Sequence, residues 1–484
     1  MIHLYNTLSR SVEEFTPLNP PKVGLYTCGM TVYDFAHIGH GKKYVGDDIL
    51  RRLLEYKGYQ VIHVQNITDV GHLSSDSDEG EDKMEKGAKK YGKTVWDVAA
   101  YYADHFFQTM DALGNLRPTV SCKATDHIPD QIKLIHTLID NGYAYDTPEA
   151  VYFDVAKFPT YGDLFGQKLE DKLTAVRDEV QTGKHKKNPI DFALWFKRVG
   201  RFSDHAMHWD SPWGDGFPGW HIECSAMSMR YLGDTIDIHT GGIDHIPVHH
   251  PNEIAQSEAA TGKQFVRYWV HHAFLMVDGK KMSKSLGNFY TIDDVREKGF
   301  DLLSLRYLYL SAQYRKPLNF TWEALGAANN AYIDLIARMA GLMENSSYHP
   351  AENEVQYSNV AIGMKEEFIA ALEDDLNTPR ALAALWRTMK SDVLIAEEKL
   401  SLLHMFDSVL GLQVYAKAQK SSREAVAKDT SSDSVPDDIR SLLAKRQEAK
   451  AAKQFTEADK IRKEIESRGY SVVDTKTGST AKHI

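Results

Sequence analysis

The chain has 484 residues, 43% of them hydrophobic and 26% charged, with a formal charge of −10 and only three cysteines. Such a length provides for a large core and about three domains. The acidic balance excludes non-specific nucleic-acid binding by the molecule as a whole but leaves room for a local basic face. Three scattered cysteines exclude a disulfide framework. No segment approaches the roughly eighteen uninterrupted apolar residues of a membrane span, and Met1 to Asn6 has no basic region leading into an apolar one, so a cytoplasmic location is expected.

In chain order, residues 23–28 are short, apolar and β-prone, Val45, Ile49, Leu53 and Tyr56 recur at helical spacing until Gly58, and residues 60–68 form a second apolar run. The pattern predicts strand, loop, helix and strand, which is a β-α-β unit. Its loop reads Thr27-Cys-Gly-Met-Thr-Val-Tyr-Asp-Phe-Ala-His-Ile-Gly-His40, with His37 and His40 near the helix start. Helix starts bind phosphate. Gly39 lets the backbone approach a ligand, and the two imidazoles can donate to phosphate oxygens.

His-Ile-Gly-His resembles the first motif of class I aminoacyl-tRNA synthetases, which bind ATP on a Rossmann-type fold and activate an amino acid as its adenylate. The second motif of that class, Lys-Met-Ser-Lys-Ser, stands unaltered at Lys281 to Ser285. The resemblance implies an α/β fold with a Rossmann-type parallel-sheet catalytic domain that carries a connective insertion.

Residues 74–90 contain one apolar side chain besides alanine and switch from acidic to basic, as a solvated surface loop does. The loop follows the second strand, at the edge where open α/β sheets bind ligands, so a lid role is also open. Helices are expected from Thr94 to Leu113, with Thr94 as N-cap and Gly114 as terminator, and from Pro129 to Ile139. A strand is expected over 151–155. Cys122 falls with the expected insertion, about 115–200, as a structural thiol.

Residues 209–253 are dense in reactive side chains: Trp209 to Cys224, then Asp237-Ile-His-Thr-Gly-Gly-Ile-Asp244 and His249-His-Pro-Asn-Glu253. A strand is expected over 235–239, ending at Gly241 and Gly242, and Pro251 suits the first position of a helix reaching about Ala260. His249 and Glu253, four apart, can point the same way. With Cys28 and Cys224 they make a Cys₂-His-Glu set whose donors suit zinc. Spacing leaves His239, His245, His250, His271 and His272 as competing ligands.

The longer matches, Thr-Cys-Gly-Met-Thr-Val-Tyr-Asp, Pro-Gly-Trp-His-Ile-Glu-Cys-Ser-Ala-Met, His-His-x-Asn-Glu and Lys-Met-Ser-Lys-Ser-Leu-Gly-Asn, are similar to the cysteinyl-tRNA synthetase family across nearly the whole chain. That resemblance implies one zinc ion on Cys28, Cys224, His249 and Glu253, binding the substrate thiolate. It also implies an amino-acid pocket with Cys28, Gly29, Thr68 and Trp220, although Trp220 can equally be core. Gly39, His40, Gly242, Asp244 and Lys284 are implied for ATP, which Mg²⁺ accompanies, and His37, His40, Lys281 and Lys284 for catalysis. Thr240 and Pro251 depart from the family's usual glycine and acidic residue.

A strand over 270–277 leads into the glycine-bounded loop of Lys281 to Ser285, and Thr291 with Asp294 reads as a capping box. Residues 1–299 are expected to be the catalytic domain, 300–415 a helical bundle, 416–435 a linker and 436–484 a small carboxy-terminal RNA-binding module. In the last, paired helices are expected over 437–453 and 457–468, with Thr456 and Asp459 capping the second, then a short strand over 470–473. Residues 440–468 hold nine basic against five acidic side chains, a local balance of +4. That pattern fits either a solvated face or phosphate contact, and the resemblance implies anticodon binding. The expected partners are tRNA(Cys), ATP and L-cysteine, with the chain a monomer. Two alternatives are a ligase joining cysteine to an amine on a small sugar-derived molecule and a catalytically silent binder; the carboxy-terminal module argues against the first and intact His37, His40, Lys281 and Lys284 against the second.

Overall fold

The computed structural model describes residues 1–71, 84–85, 87–88, 92–166, 185–344, 346, 348, 355–422, 436–452, 454–475 and 478–483. Two compact units result, Met1–Leu335 with Tyr348–Val414, and Ile336–Ser347 with Tyr415–Ile484. Most of the 74–90 loop and the 423–435 part of the expected linker lie outside the described residues. Met84, however, is fully buried. No described helix is long and apolar enough to cross a membrane.

The first unit is built on five parallel strands. In chain order its relevant elements are β1 (Lys22–Thr27), α1 (Ile38–Tyr56), β2 (Gln60–Ile67), α2 (Val95–Ala112), β3 (Val120–Lys123), α3 (Ile128–Asp140), α4 (Trp220–Leu232), β4 (Ile236–Gly242), α5 (His249–Thr261) and β5 (Val266–His272). The sheet order is β5-β4-β1-β2-β3, with Leu25 of β1 in register with Ile238 on one side and His63 on the other. Chain order reverses between β1 and β4, so their carboxyl ends diverge and leave a crevice, where α/β sheets bind ligands. Val23, Leu25, Tyr26, Val64, Ile236 and Ile238 are all buried, the mark of a parallel sheet covered on both faces.

Several expectations shift. Val120–Lys123 and Cys122 belong to the sheet as its edge strand, not to the insertion. The insertion instead contains an antiparallel sheet of Ala144–Asp146, Ala150–Phe153, Phe192–Lys197 and Gly216–Pro218. The expected 270–277 strand is two: β5 ends at His272, and Leu275–Val277 joins a separate sheet with Lys280–Lys281 and Leu318–Phe320. Helix α5 begins at His249, two residues before Pro251, because first-turn N–H groups have no intrahelical acceptor and the missing proline N–H costs nothing there. Thr94 and Asp97, and Thr291 and Asp294, form the reciprocal caps their spacing implies.

Arg306 ties α1 to the bundle. Its guanidinium is fully buried and donates to Asp48 of α1 (2.5 Å), Leu410 O (2.7 Å), Leu113 O (3.1 Å) and Asn115 Oδ1 (2.8 Å). Burial alone would push the Asp48 carboxyl up, but Arg306 and Arg52 hold it below its ordinary value. Helices Asn359–Glu373, Thr378–Lys390 and Ala396–Leu410 pack beyond it, with Phe368 stacked on Phe406.

In the second unit, Asp437–Ala451 packs with Phe455–Ser467, and Tyr470–Thr475 pairs with Gly478–His483. Residues 414–422, expected in part as linker, are helical. Thr456 is not a cap: the second helix starts at Phe455 with Gln454 as N-cap and no side-chain cap bond. The strand Gly478–His483 lacks an apolar alternation and was not expected. Arg468 pairs with Asp438 and Glu464, Arg462 with Glu466 and Lys460 with Glu457, so part of the local positive charge is compensated within the unit.

Arg306→Leu is expected to destabilise the first unit by about 3–5 kcal/mol, because Asp48 is left buried with a weaker partner. Urea unfolding checks this, and Asp48→Leu added to Arg306→Leu should recover part of the loss.

Candidate active site

The crevice at the ends of β1 and β4 opens into a cleft of about 480 Å³. Of the site residues expected from sequence, Cys28, Gly29, His37, Gly39, His40, Trp220, Gly242, Asp244, His249, Lys281 and Lys284 line it. Cys224 and Glu253 lie beneath its floor, and Thr68 stands behind the wall, its main chain bonded to Met30 and Val32.

One end is defined by the start of α1. His37 is the N-cap: its Nδ1 accepts the His40 N–H at 3.1 Å, and His40 Nδ1 lies 3.3 Å from the His37 N–H. This reciprocal cap is usually built from a hydroxyl and a carboxylate three residues apart; here two imidazoles fill both places. They stack with centroids 3.4 Å apart. Burial is the main cause that lowers the His37 pKa to about 4, and burial with the neighbouring positive groups lowers His40 well below its ordinary value. Both rings are therefore neutral near pH 7. Since each Nδ1 accepts a backbone N–H, each proton resides on Nε2.

The second motif docks against this cap. Ile38 N–H donates to Tyr290 O at 3.1 Å and Ile292 N–H to Ala36 O at 3.0 Å, so main-chain bonds join the segment after Lys281 to Ser285 with the segment that starts α1. Lys284 forms an ion pair with Asp34 across the cleft and lies 4.9 Å from the Phe289 ring centroid, and Lys281 lies 5.3 Å from that of Phe274. One glycine is spatially required, since a Cβ on Gly29 would overlap the Asn66 carbonyl; one on Gly242 would meet only the movable end of the Asp244 side chain.

The other end is a buried donor cluster. Cys28 comes from the end of β1, Cys224 from α4, and His249 and Glu253 from one turn of α5; their donor atoms all lie within 4.8 Å of one another. Cys28 Sγ is 3.9 Å from Cys224 Sγ and 3.9 Å from Glu253 Oε1, and His249 Nε2 is 3.0 Å from Glu253 Oε1. Surrounding groups orient these: His239 Nε2 meets Glu253 Oε2 at 2.8 Å, and His221 Nδ1 meets His249 Nδ1 at 2.8 Å, leaving Nε2 turned to the cluster. Trp220 packs on the His249 ring at 4.2 Å between centroids.

A second set, Cys28, His239, His250 and Glu253, satisfies the same distance criterion. One observation favours the first: His249 faces the cleft, whereas His239 and His250 are wholly buried away from it. The His250 Nε2 lies 3.6 Å from Cys28 Sγ, and its Nδ1 is 2.7 Å from His271 Nε2.

Burial pushes the Cys28 thiol up, but the hydrogen bond with Cys224 and the charge of His249 outweigh it and leave Cys28 well below the ordinary thiol value. Cys224, as the partner in that bond and itself buried, is raised. Burial lowers His249, yet Glu253 and Cys28 raise it overall to about 10. A cluster that concentrates this much negative charge in a dry space suits a divalent cation.

Comparison with known proteins bears on this arrangement. The profile of the tRNA synthetases class I (C) catalytic domain matches residues 14–330, a DALR domain matches 367–414, and a cysteinyl-tRNA ligase anticodon binding domain matches 432–480. The cysteine–tRNA ligase of Treponema denticola is 43% identical over 495 residues, covering 99% of this chain and 99% of the relative. The chain belongs to the cysteine–tRNA ligase family. Another member, cysteine–tRNA ligase 1 of Burkholderia lata, is 45% identical over 487 residues, 98% of this chain and 95% of the relative. Among solved structures, the fold resembles a Mycobacterium tuberculosis methionyl-tRNA synthetase in complex with methionyl-adenylate (TM-score 0.54, 16% identity, 84% of this chain and 93% of that one). It also resembles an Agrobacterium radiobacter LeuRS in a ternary complex (TM-score 0.58, 12% identity, 84% and 86%).

Sequence reasoning missed Asp34 as the partner of Lys284, His221 and His239 as the groups that orient the cluster, and Lys43 as a further cation lining the cleft. Only Lys43 had a local signal, three residues after His40 on the same helical face.

Removing the imidazole cap separates stability from chemistry. His37→Ala is expected to cost about 1 kcal/mol, while His37→Asn, which can still accept the His40 N–H, stays within a few tenths; thermal unfolding of the two variants checks this.

Proposed function

We propose that Cys28, Cys224, His249 and Glu253 hold one zinc ion at the floor of the cleft, and that the chain uses it to select L-cysteine, activates the amino acid with ATP to cysteinyl-adenylate and pyrophosphate, and transfers it to the 3′ end of its cognate tRNA. Charging of tRNA with cysteine is the reaction of the family to which the chain belongs. The observation that supports the finer reading is the buried Cys₂-His-Glu cluster opening, through Cys28 and His249, into the same cleft that His37, His40, Lys281 and Lys284 line.

Serine differs from cysteine by one atom, and a hydrogen-bonding pocket rejects such an isostere by only about a hundredfold where translation needs about 10⁴ to 10⁵. The gap is roughly 3–4 kcal/mol. Zinc, when bound, supplies a preference for thiolate over hydroxyl that polar side chains do not, so no editing activity is expected.

Everything else is positioning. The Nε2–H groups of His37 and His40 donate to phosphate oxygens of ATP, Gly39 and Gly242 let its backbone-facing atoms approach, and Asp244 accepts from its ribose. The amino-acid carboxylate attacks the α-phosphate, and charge grows on the departing pyrophosphate. Lys284 exchanges Asp34 for that charge and Lys281 joins it, so their stabilisation is largest in the transition state. Mg²⁺ accompanies the ATP. The second unit, with its basic helices, contacts the anticodon end of the tRNA, and the working chain is a monomer.

Charging of unfractionated tRNA by the purified chain with ATP and labelled cysteine, beside labelled serine and a zinc-chelated sample, tests the reading. Cysteine charging that disappears with the metal and returns with added zinc is expected; cysteine-dependent pyrophosphate exchange without charged tRNA would favour the small-molecule ligase instead. His37→Asn, though stably folded, is expected to lower the exchange rate about 10²- to 10³-fold, as loss of a transition-state donor does. His249→Ala is expected to lose zinc measurable by metal analysis, whereas His250→Ala retains it; the opposite result would favour the second ligand set.

A further inference from the structure

Between the metal-type cluster and the histidine cap, the cleft wall carries a cation with no role so far. Lys43 lies on α1 one turn beyond His40, its side chain only 13% exposed. Its ammonium donates to the Cys28 carbonyl at 2.7 Å and pairs with Asp47 Oδ2 at 3.0 Å. Asp47 is itself buried and its Oδ1 meets Nε2 of His272, at the end of β5, at 2.9 Å. Gly46 makes this possible, since a Cβ there would collide with the His272 ring. The Tyr44 hydroxyl also donates to the Cys28 carbonyl, at 3.2 Å.

An ammonium has three donors. One goes to the Cys28 carbonyl while the charge pairs with Asp47, and Lys43 with His272 lines the cleft. The position follows from the chain and the partner atoms: the ammonium touches the main chain of the residue whose sulfur belongs to the cluster, and Lys43 stands one helical turn from His40. Thus it stands between the pole that takes the amino-acid side chain and the pole that takes phosphate. The reacting carboxylate of a bound amino acid must lie in that interval, because its thiol is held at one pole and its attack is directed to the other.

We infer that Lys43, held by Asp47 and the Cys28 carbonyl, is a substrate-positioning residue that binds the carboxylate of the incoming amino acid and directs it toward the α-phosphate. The Asp47 carboxylate does two things. It fixes the long side chain in one rotamer, and it offsets part of the lysine charge so that the carboxylate is oriented without being bound too tightly to react. This rests on the proposed function of the same cleft.

The test uses the full chain, unmodified and as Lys43→Met and Lys43→Arg, with zinc content measured for each. Cysteine-dependent pyrophosphate exchange gives KM for cysteine and for ATP separately. Cysteamine, which is cysteine without its carboxylate, serves as competitive inhibitor. Loss of one charge-assisted hydrogen bond is expected to raise KM for cysteine about 10- to 100-fold in Lys43→Met, with zinc content and KM for ATP unchanged, the cysteamine inhibition constant moving less than about threefold, and partial recovery in Lys43→Arg. Four results would overturn the assignment. Equal weakening of cysteine and cysteamine, or loss of zinc, would make Lys43 a strap for Cys28 only. A rise in KM for ATP alone would move its contact to the α-phosphate. No change in any constant would leave it without a substrate contact. Absence of exchange in the unmodified chain would defeat the proposed function itself, a failure distinct from any of these.

Discussion

A carboxylate with no solvent exposure sits beside two thiols, one of them shifted toward its anion, and this concentration of buried negative charge is the constraint around which the catalytic unit is arranged. Left alone it would be costly. His249 on one carboxylate oxygen and His239 on the other compensate Glu253, and the His221 contact orients His249. Sheet topology does the rest. Because order reverses between β1 and β4, the residue just after β1 can meet the helices that flank β4, and donors nearly two hundred residues apart in sequence converge on one floor.

The opposite pole of the cleft depends on a cap rather than on charge. Two imidazoles occupy the positions of a reciprocal helix cap, so the bonds that start α1 also set which ring nitrogens hold protons. The segment following Lys281 to Ser285 is hydrogen-bonded to the chain on either side of His37, which fixes the base of the lysine-bearing loop beside the two histidines. Arg306 in turn fixes α1, through Asp48, to the helices that follow. In the proposed reaction stability and chemistry therefore share the same helix: its first turn holds the cap, its second Lys43, and its third the buried ion pair.

Much of this was legible in sequence because it is local. The two motifs, the Thr94 and Thr291 caps, and the one-turn spacing of His249 and Glu253 depend on neighbours three or four residues away. What was not legible depends on packing. Cys122 reads equally well in an insertion or on an edge strand until β2 is seen to pair with it. The choice among six candidate histidines is made by which rings come within reach of the cluster and, of those, which one faces the cleft, both tertiary facts. Pro251 misled the helix start because proline is tolerated throughout a first turn, and Thr456 misled the cap for the similar reason that threonine is also accepted just inside a helix. Asp34 as partner of Lys284 spans 250 residues and leaves no trace in periodicity.

The central claim, that the buried cluster reads the sulfur of the substrate, is most directly tested by X-ray absorption at the zinc edge of the purified chain with and without cysteine. Two sulfur and two lighter ligands from the protein are expected without substrate, with one further sulfur on adding cysteine and none on adding serine. A zinc signal with unchanged sulfur count in the presence of saturating cysteine would contradict the account.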